Sequence, residues 1–174
     1  MGLLVEFSTI SQFLKNYGLR MKYKGYYLLF LVLVLFDQFT KQIFISSFDV
    51  GQSIIINPYL SWTYLQNTGA AFSILADGGG IQKAFLLSVS VLVSVIIFLW
   101  IHKTSEYQRQ KLFGQFLLLS GAVGNLIDRA QYGYVVDFID MHVNGFYWPV
   151  FNLADSFIFI GVLLLLFQRK QPSL

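Results

Sequence analysis

The chain has 174 residues, 56% hydrophobic, 18% aromatic and only 12% charged, with a formal net charge of +3. Soluble domains carry roughly 25% charged residues, so lipid is expected around much of this chain, and so weak a positive excess gives no argument for a nucleic-acid partner. With no cysteine and only His102 and His142 as histidines, thiol catalysis, disulfides and Cys-based zinc sites are excluded, and neither a metal nor another cofactor is expected.

In residues 1–25, Leu3, Leu4, Phe7, Ile10, Phe13, Leu14 and Tyr17 recur at helical spacing, which predicts an amphipathic extension lying on a membrane surface. Met21-Lys22 inside it resembles a start site. The first apolar span is expected over 26–45, interrupted by Asp37, Gln38 and Lys41. In the loop 46–83, Ser53 to Pro58 and Leu60 to Leu65 read as two short strands around an Asn-Pro turn. A short interfacial helix is expected over Ala70 to Asp77, and Gly78-Gly79-Gly80 as a hinge. Span two is expected over 84–101 and span three, which is short, over 112–127. After them comes a β-like apolar run, Val135 to Asp140. Span four is expected over 150–167, with Asp155 as its only charge, and 168–174 is a tail. A helix needs about 20 residues to cross the hydrocarbon, and lipid forces each span to be helical. The fold class is therefore an all-α membrane protein of four transmembrane helices, with a small β element and a short interfacial helix in its loops.

Lysine and arginine placement sets the orientation. Lys15, Arg20, Lys22 and Lys24 precede span one, Lys103, Arg109 and Lys111 separate spans two and three, and Arg169 and Lys170 follow span four. The positive-inside rule puts both termini in the cytoplasm and the loops 46–83 and 128–149 on the far side. Charges at membrane depth cost about 2.5–3.5 kcal/mol each. This chain nevertheless gathers Asp37, Lys41, Asp128, Arg129, Asp137 and Asp155 toward one membrane face.

Asn152 and Asp155 are three residues apart, which predicts one shared helical face, with small Ala154 and Ser156 allowing a close neighbour. A purely structural role, Asp155 pairing with Arg129 or Lys41 to hold the bundle, is the alternative. Gly121 and Gly124 thin one face of span three, and Asn125, Asp128 and Arg129 fall together on a face, serving either a site or a helix-end anchor. Asp137 lies inside the β-like run, with Asp140 nearby. Two carboxylates brought together do not both ionise easily, so one can activate water while the other protonates a carbonyl oxygen. Asn67 and Gly69, in Asn67-Thr68-Gly69-Ala70-Ala71-Phe72, leave room for an extended chain or form a tight turn. A proton-coupled transporter would also hold intramembrane carboxylates, but would show a repeated architecture around a midplane site. A non-catalytic scaffold would need the acids only for folding.

Five segments in this order resemble the signal peptidase II family: Asp37-Gln38-Phe39-Thr40-Lys41, Asn67 to Phe72, Gly124-Asn125-Leu126-Ile127-Asp128-Arg129, Val136-Asp137-Phe138 and Phe151-Asn152-Leu153-Ala154-Asp155-Ser156. The resemblance implies an aspartyl peptidase of the bacterial inner membrane, acting on prolipoproteins just before a cysteine that already carries diacylglycerol. Lipid-modified precursors and membrane lipids are the partners it implies. It makes Asp137 and Asp155 catalytic and Asp37, Lys41, Asn67, Asn125, Asp128, Arg129, Asn152 and Ala154 supporting. The far-side strands would then form a periplasmic cradle, and Ala70 to Asp77 a flap-like helix.

Overall fold

From Tyr26 to Ile45 the chain has neither glycine nor proline to break a helix, and it forms α1, Lys24–Ser47. The computed structural model describes residues 23–69 and 80–168. Along α1 the usual polarity is inverted. Leu28, Leu31, Leu35 and Phe39 are exposed, whereas Val34, Asp37, Lys41 and Phe44 are buried at three- and four-residue spacing. That pattern suits a helix whose solvent is lipid and whose polar groups face the interior.

The strands β1, Ser53–Asn57, and β2, Leu60–Asn67, form the expected antiparallel hairpin. Asn57 Oδ1 accepts from the Tyr59 N–H at 2.8 Å and tightens its turn. Next come α2, Gly80–His102, and α3, Arg109–Gln131. The strands β3, Val135–Val143, and β4, Phe146–Tyr147, precede α4, Leu153–Leu166. The sheet is antiparallel and four-stranded in the order β1-β2-β3-β4, so the loop after α3 joins the hairpin that follows α1. The β-like run read over Val135 to Asp140 lies within β3, and β4 is the one strand of the sheet that the sequence did not indicate.

Among the described residues, α1 and α2 are the helices long and apolar enough to cross a membrane. The expected span 112–127 lies within the longer α3, which carries Asp128 and Arg129 inside its last turns. α3 packs against the other three helices and buries Gln115, Ser120, Asn125 and Asp128 as well as leucines, which lowers its hydropathy. The expected span 150–167 is helical only over the 14 residues of α4. At 1.5 Å per residue that is about 21 Å. The shortening has a local cause: Asn152 caps the helix and leaves the residues before it extended.

Glycines set the α3–α4 distance. A Cβ on Gly161 would lie 2.7 Å from the Gly114 carbonyl oxygen, and one on Gly121 would collide with the carbonyl oxygen of Ala154. Two apolar clusters bracket the polar interior. Tyr23, Ile97, Ile101, Leu112, Phe116 and Leu119 pack at one end. Phe44, Tyr64, Val136 and Phe138 pack beneath the sheet at the other, where the Phe44 and Phe138 rings stack at 4.3 Å. The expected amphipathic extension over 1–25 lies outside the described residues up to residue 22, and Lys24 and Gly25 already belong to α1. The Met21-Lys22 start, the 70–77 helix, Gly78 and Gly79 of the hinge, and the tail beyond residue 168 also lie outside the described residues.

Candidate active site

The site is built where α1, α3, β3 and the start of α4 meet, and each side chain has a local reason for its position. Asn152 is the N-cap of α4, with extended backbone at φ −131° and ψ −177°. Its Oδ1 accepts from the Asp155 N–H at 3.0 Å, and Asp155 Oδ2 accepts from the Asn152 N–H at 3.3 Å. This reciprocal capping box satisfies two helix-end donors. Asn152 and Asp155 are therefore held together by a cap, not by a common helical face.

Asp37, more than a hundred residues earlier, completes that cap. Its Oδ1 accepts from the Ala154 N–H at 2.9 Å, joining α1 to the N-terminus of α4. Its other oxygen lies 2.9 Å from Lys41 Nζ, which also reaches Asp128 Oδ2 at 2.9 Å and Asn125 Oδ1 at 3.0 Å. Asp37, Lys41 and Asp128 are almost wholly buried, so one cation bridges two carboxylates away from water. Lys41 therefore serves Asp37 and Asp128 and does not pair with Asp155. Asp128 Oδ2 also accepts from the Val136 N–H at 3.0 Å, which fixes β3 one residue before Asp137.

Asp137 is buried on β3, opposite Leu65 of β2. Its Oδ1 accepts from Asn152 Nδ2 at 2.6 Å and its Oδ2 from Asn67 Nδ2 at 2.9 Å. Burial removes water from the carboxyl and pushes its pKa up to about 6. The Asn67 amide pulls it down, neighbouring Asp155 pushes it up, and Asn152 and Lys41 pull it down. Asp155 Oδ1 accepts from Asn125 Nδ2 at 2.8 Å. Asn125 Oδ1 in turn accepts from Lys41 and, at 3.3 Å, from Asn152 Nδ2. The two asparagines thus tie both aspartates to the lysine network.

Asn67 Oδ1 accepts from the Gly69 N–H at 2.9 Å, and Gly69 sits at φ +78°. The tight turn read from this segment is present, and it is the same turn that presents Asn67 Nδ2 to Asp137. Arg129 lies at the rim, with Nη1 3.4 Å from the Asn125 carbonyl oxygen and in electrostatic contact with Asp155, Asp128 and Asp137. Asp140 stands apart, accepting from the Thr63 hydroxyl at 2.8 Å.

Sequence reasoning passed over Gln38. Its Nε2 donates to Asp128 Oδ1 at 2.8 Å, to the Gly124 carbonyl at 3.1 Å and to Asp37 Oδ2 at 3.2 Å. The available signal was an amide lodged between Asp37 and Lys41 in an apolar run. A cleft of about 590 Å³ opens beside the aspartates. Phe146, Trp148, Phe151, Phe159 and Ile160 line it, and Asp155 and Ser156 form its polar end.

Comparison with known proteins gives this arrangement a family. The family model described as "Signal peptidase (SPase) II" matches residues 29–169. The chain is 40% identical over 159 residues to the lipoprotein signal peptidase of Shewanella amazonensis, covering 91% of this chain and 92% of that protein. It is 43% identical over 130 residues to that of Alteromonas mediterranea, covering 75% and 71%. A solved bacterial membrane enzyme superposes with a TM-score of 0.76 at 33% identity, covering 86% of this chain and 94% of that one. The chain belongs to the signal peptidase II family, the membrane proteases that remove signal peptides from prolipoproteins.

Proposed function

We propose that this peptidase is an aspartyl enzyme whose dyad is Asp137 and Asp155, and that it cuts just before a diacylglyceryl-modified cysteine. The observation that carries this reading is that Asn152 engages both carboxylates, through its side-chain amide on Asp137 and its backbone N–H on Asp155. The N-terminal end of α4 carries positive partial charge and favours an anion at Asp155, so Asp155 is the general base. Asp137, with its pKa raised to about 6, is the general acid.

Asp155 takes a proton from water as the water oxygen attacks the scissile carbonyl, while Asp137 gives its proton to the carbonyl oxygen. The resulting gem-diol returns a hydroxyl proton to Asp137. As the C–N bond breaks, the leaving nitrogen takes the proton held by Asp155. The products are the signal-peptide carboxyl group and the free amino group of the lipidated cysteine. Asn67, Asn125 and Asn152 hold the acids in register. Asp37, Lys41, Gln38 and Asp128 fix the elements that carry them, Ala154 supplies a close helix contact, and Arg129 receives a peptide carbonyl at the rim.

In this reading α3 and α4 also cross the membrane, with their ends completed by interfacial residues. The protein lies in the inner membrane with both termini cytoplasmic, and the dyad stands near the periplasmic face. The apolar cleft is where the acyl chains of the precursor meet the site. The test is cleavage of a purified diacylglyceryl-modified prolipoprotein, scored by gel shift. Wild type should cut it, and Asp137→Asn and Asp155→Asn should each nearly abolish cleavage while remaining folded in the membrane. Cleavage by either variant at the wild-type rate would end the dyad assignment.

A further inference from the structure

The cleft beside Asp155 is lined mostly by apolar side chains, and its polar ones come from two elements. Asp155 and Ser156 belong to α4, while His142 lines the cleft from β3, five residues beyond Asp137. The His142 ring is held flat against Tyr147 of β4, with centroids 5.3 Å apart and planes 23° from parallel. Its backbone is pinned as well, the N–H donating to the Tyr59 carbonyl at 3.0 Å. The imidazole is therefore a fixed part of the wall.

The two ring nitrogens are not equivalent. Nδ1 is buried and has no hydrogen-bond partner among the described residues. The side chain as a whole is only half-buried, so the open edge of the ring is the one that carries Nε2. A buried N–H without an acceptor costs more than a buried lone pair without a donor, because carbonyl-like acceptors go under-satisfied more often than N–H groups do. The neutral ring accordingly keeps its proton on Nε2, which puts a donor on an apolar wall.

We infer that His142 is a specificity residue whose Nε2–H donates to an ester carbonyl of the substrate's diacylglyceryl group. This rests on the lipid-modified precursor being the substrate, as proposed above. An extended peptide in the cleft would present alternating N–H and C=O groups and would need several partners along the wall. The wall offers two side-chain donors, the His142 imidazole and the Trp148 indole N–H, among Phe146, Phe159, Ile160 and Met141, and the Ser156 hydroxyl is already spent on the Asn152 carbonyl. A lipid with an ester carbonyl at the head of each acyl chain matches that distribution. Its chains take the apolar surface and one carbonyl takes the imidazole. The contact forms in the ground state and the transition state alike, so it lowers KM without raising kcat.

The experiment uses the full-length enzyme in detergent micelles and three precursors of one peptide sequence: diester-lipidated, diether-lipidated and unlipidated. The diether keeps the chains and lacks the carbonyls. His142→Leu should raise KM for the diester about three- to tenfold with kcat unchanged, the range one neutral hydrogen bond supports. It should leave KM for the diether unchanged. His142→Gln, whose Nε2 occupies the place of the imidazole Nε2, should restore most of the diester KM, whereas the shorter His142→Asn should not. Thermal unfolding of each variant checks that the wall is intact. An equal KM rise on diester and diether, or no rise on the diester with folded His142→Leu, would overturn the role. Equal cleavage of the unlipidated peptide by wild type is a separate result: it would remove the lipid substrate itself, and the role of His142 with it.

Discussion

The side-chain amide of Asn152 lies 2.6 Å from Oδ1 of Asp137. The same side chain caps α4 through its oxygen, so one residue both starts a helix and holds a proposed catalytic acid. These duties separate by substitution. Asn152→Ala loses both and should cost about 1–2 kcal/mol from the cap alone. Asn152→Ser keeps a capping oxygen and should unfold at a higher temperature than the alanine variant. Both should show kcat reduced about a hundredfold. Activity that recovers in step with the unfolding temperature would show that Asn152 matters only as a cap.

Asp140 is the internal control for Asp137. It lies three residues along β3 and is held by Thr63, and alternation along a strand turns the two acids to opposite faces. Asp140→Asn should keep substantial cleavage. The double variant Asp137→Asn/Asp155→Asn should be little worse than either single variant, because groups acting as a unit are not additive. If Asp140→Asn is inactive while Asp137→Asn cleaves well, the acids have been assigned in the wrong order.

Under the proposed dyad, cleavage should fall as pH rises through about 6, because Asp137 then loses the proton it would donate. The Asn67 amide favours the charged form of Asp137, so Asn67→Ala should move the alkaline limb to higher pH. The same shift affects stability. Because burial raises Asp137 above its ordinary 3.8, the folded state binds more protons than the unfolded chain between pH 3.8 and about 6. This group's contribution is therefore greatest below 3.8 and is lost as pH rises through 6. An alkaline limb unmoved in Asn67→Ala would remove Asp137 as its source.

Lys41→Met should be severe. It leaves Asp37 and Asp128 buried together without their cation, and removing one partner of a buried ion pair costs about 3–5 kcal/mol. Arg129→Ala, at the half-exposed rim with a 3.4 Å contact, should lose about 1 kcal/mol or less and only part of the activity. Thermal unfolding of the two purified variants distinguishes these positions, and equal losses would contradict the buried-bridge account of Lys41.

The four crossings proposed above would place the loops after α2 and α3 on opposite sides of the membrane. Reporter fusions after Lys103 and after Tyr132 should therefore report opposite compartments, the first cytoplasmic. The same compartment for both would require α3 to lie outside the bilayer.

The sequence by itself determined what depends on near neighbours and solvent preference. Unbroken apolar runs made α1 and α2 legible, and the Asn57-Pro58 turn between alternating residues made the β1–β2 hairpin legible. The cost of charge in lipid marked Asp37, Lys41, Asp128 and Asp155 as residues with a common purpose, and the ordered motifs pointed to the family. Tertiary structure alone decided which partners those residues take, because each choice depends on groups far away in sequence. Asp37 completes the cap of α4 at Ala154, 117 residues on. Lys41 selects Asp37, Asp128 and Asn125, although Asp155 was an equally allowed partner from sequence. Asn152 and Asp155 show i, i+3 spacing in either case, but the extended backbone at Asn152 turned an expected helical face into a capping box. Pairing of β3 with β2 brought Asn67 to Asp137. Spacing does not encode a cross-strand register, which is set by which faces of two distant segments bury together.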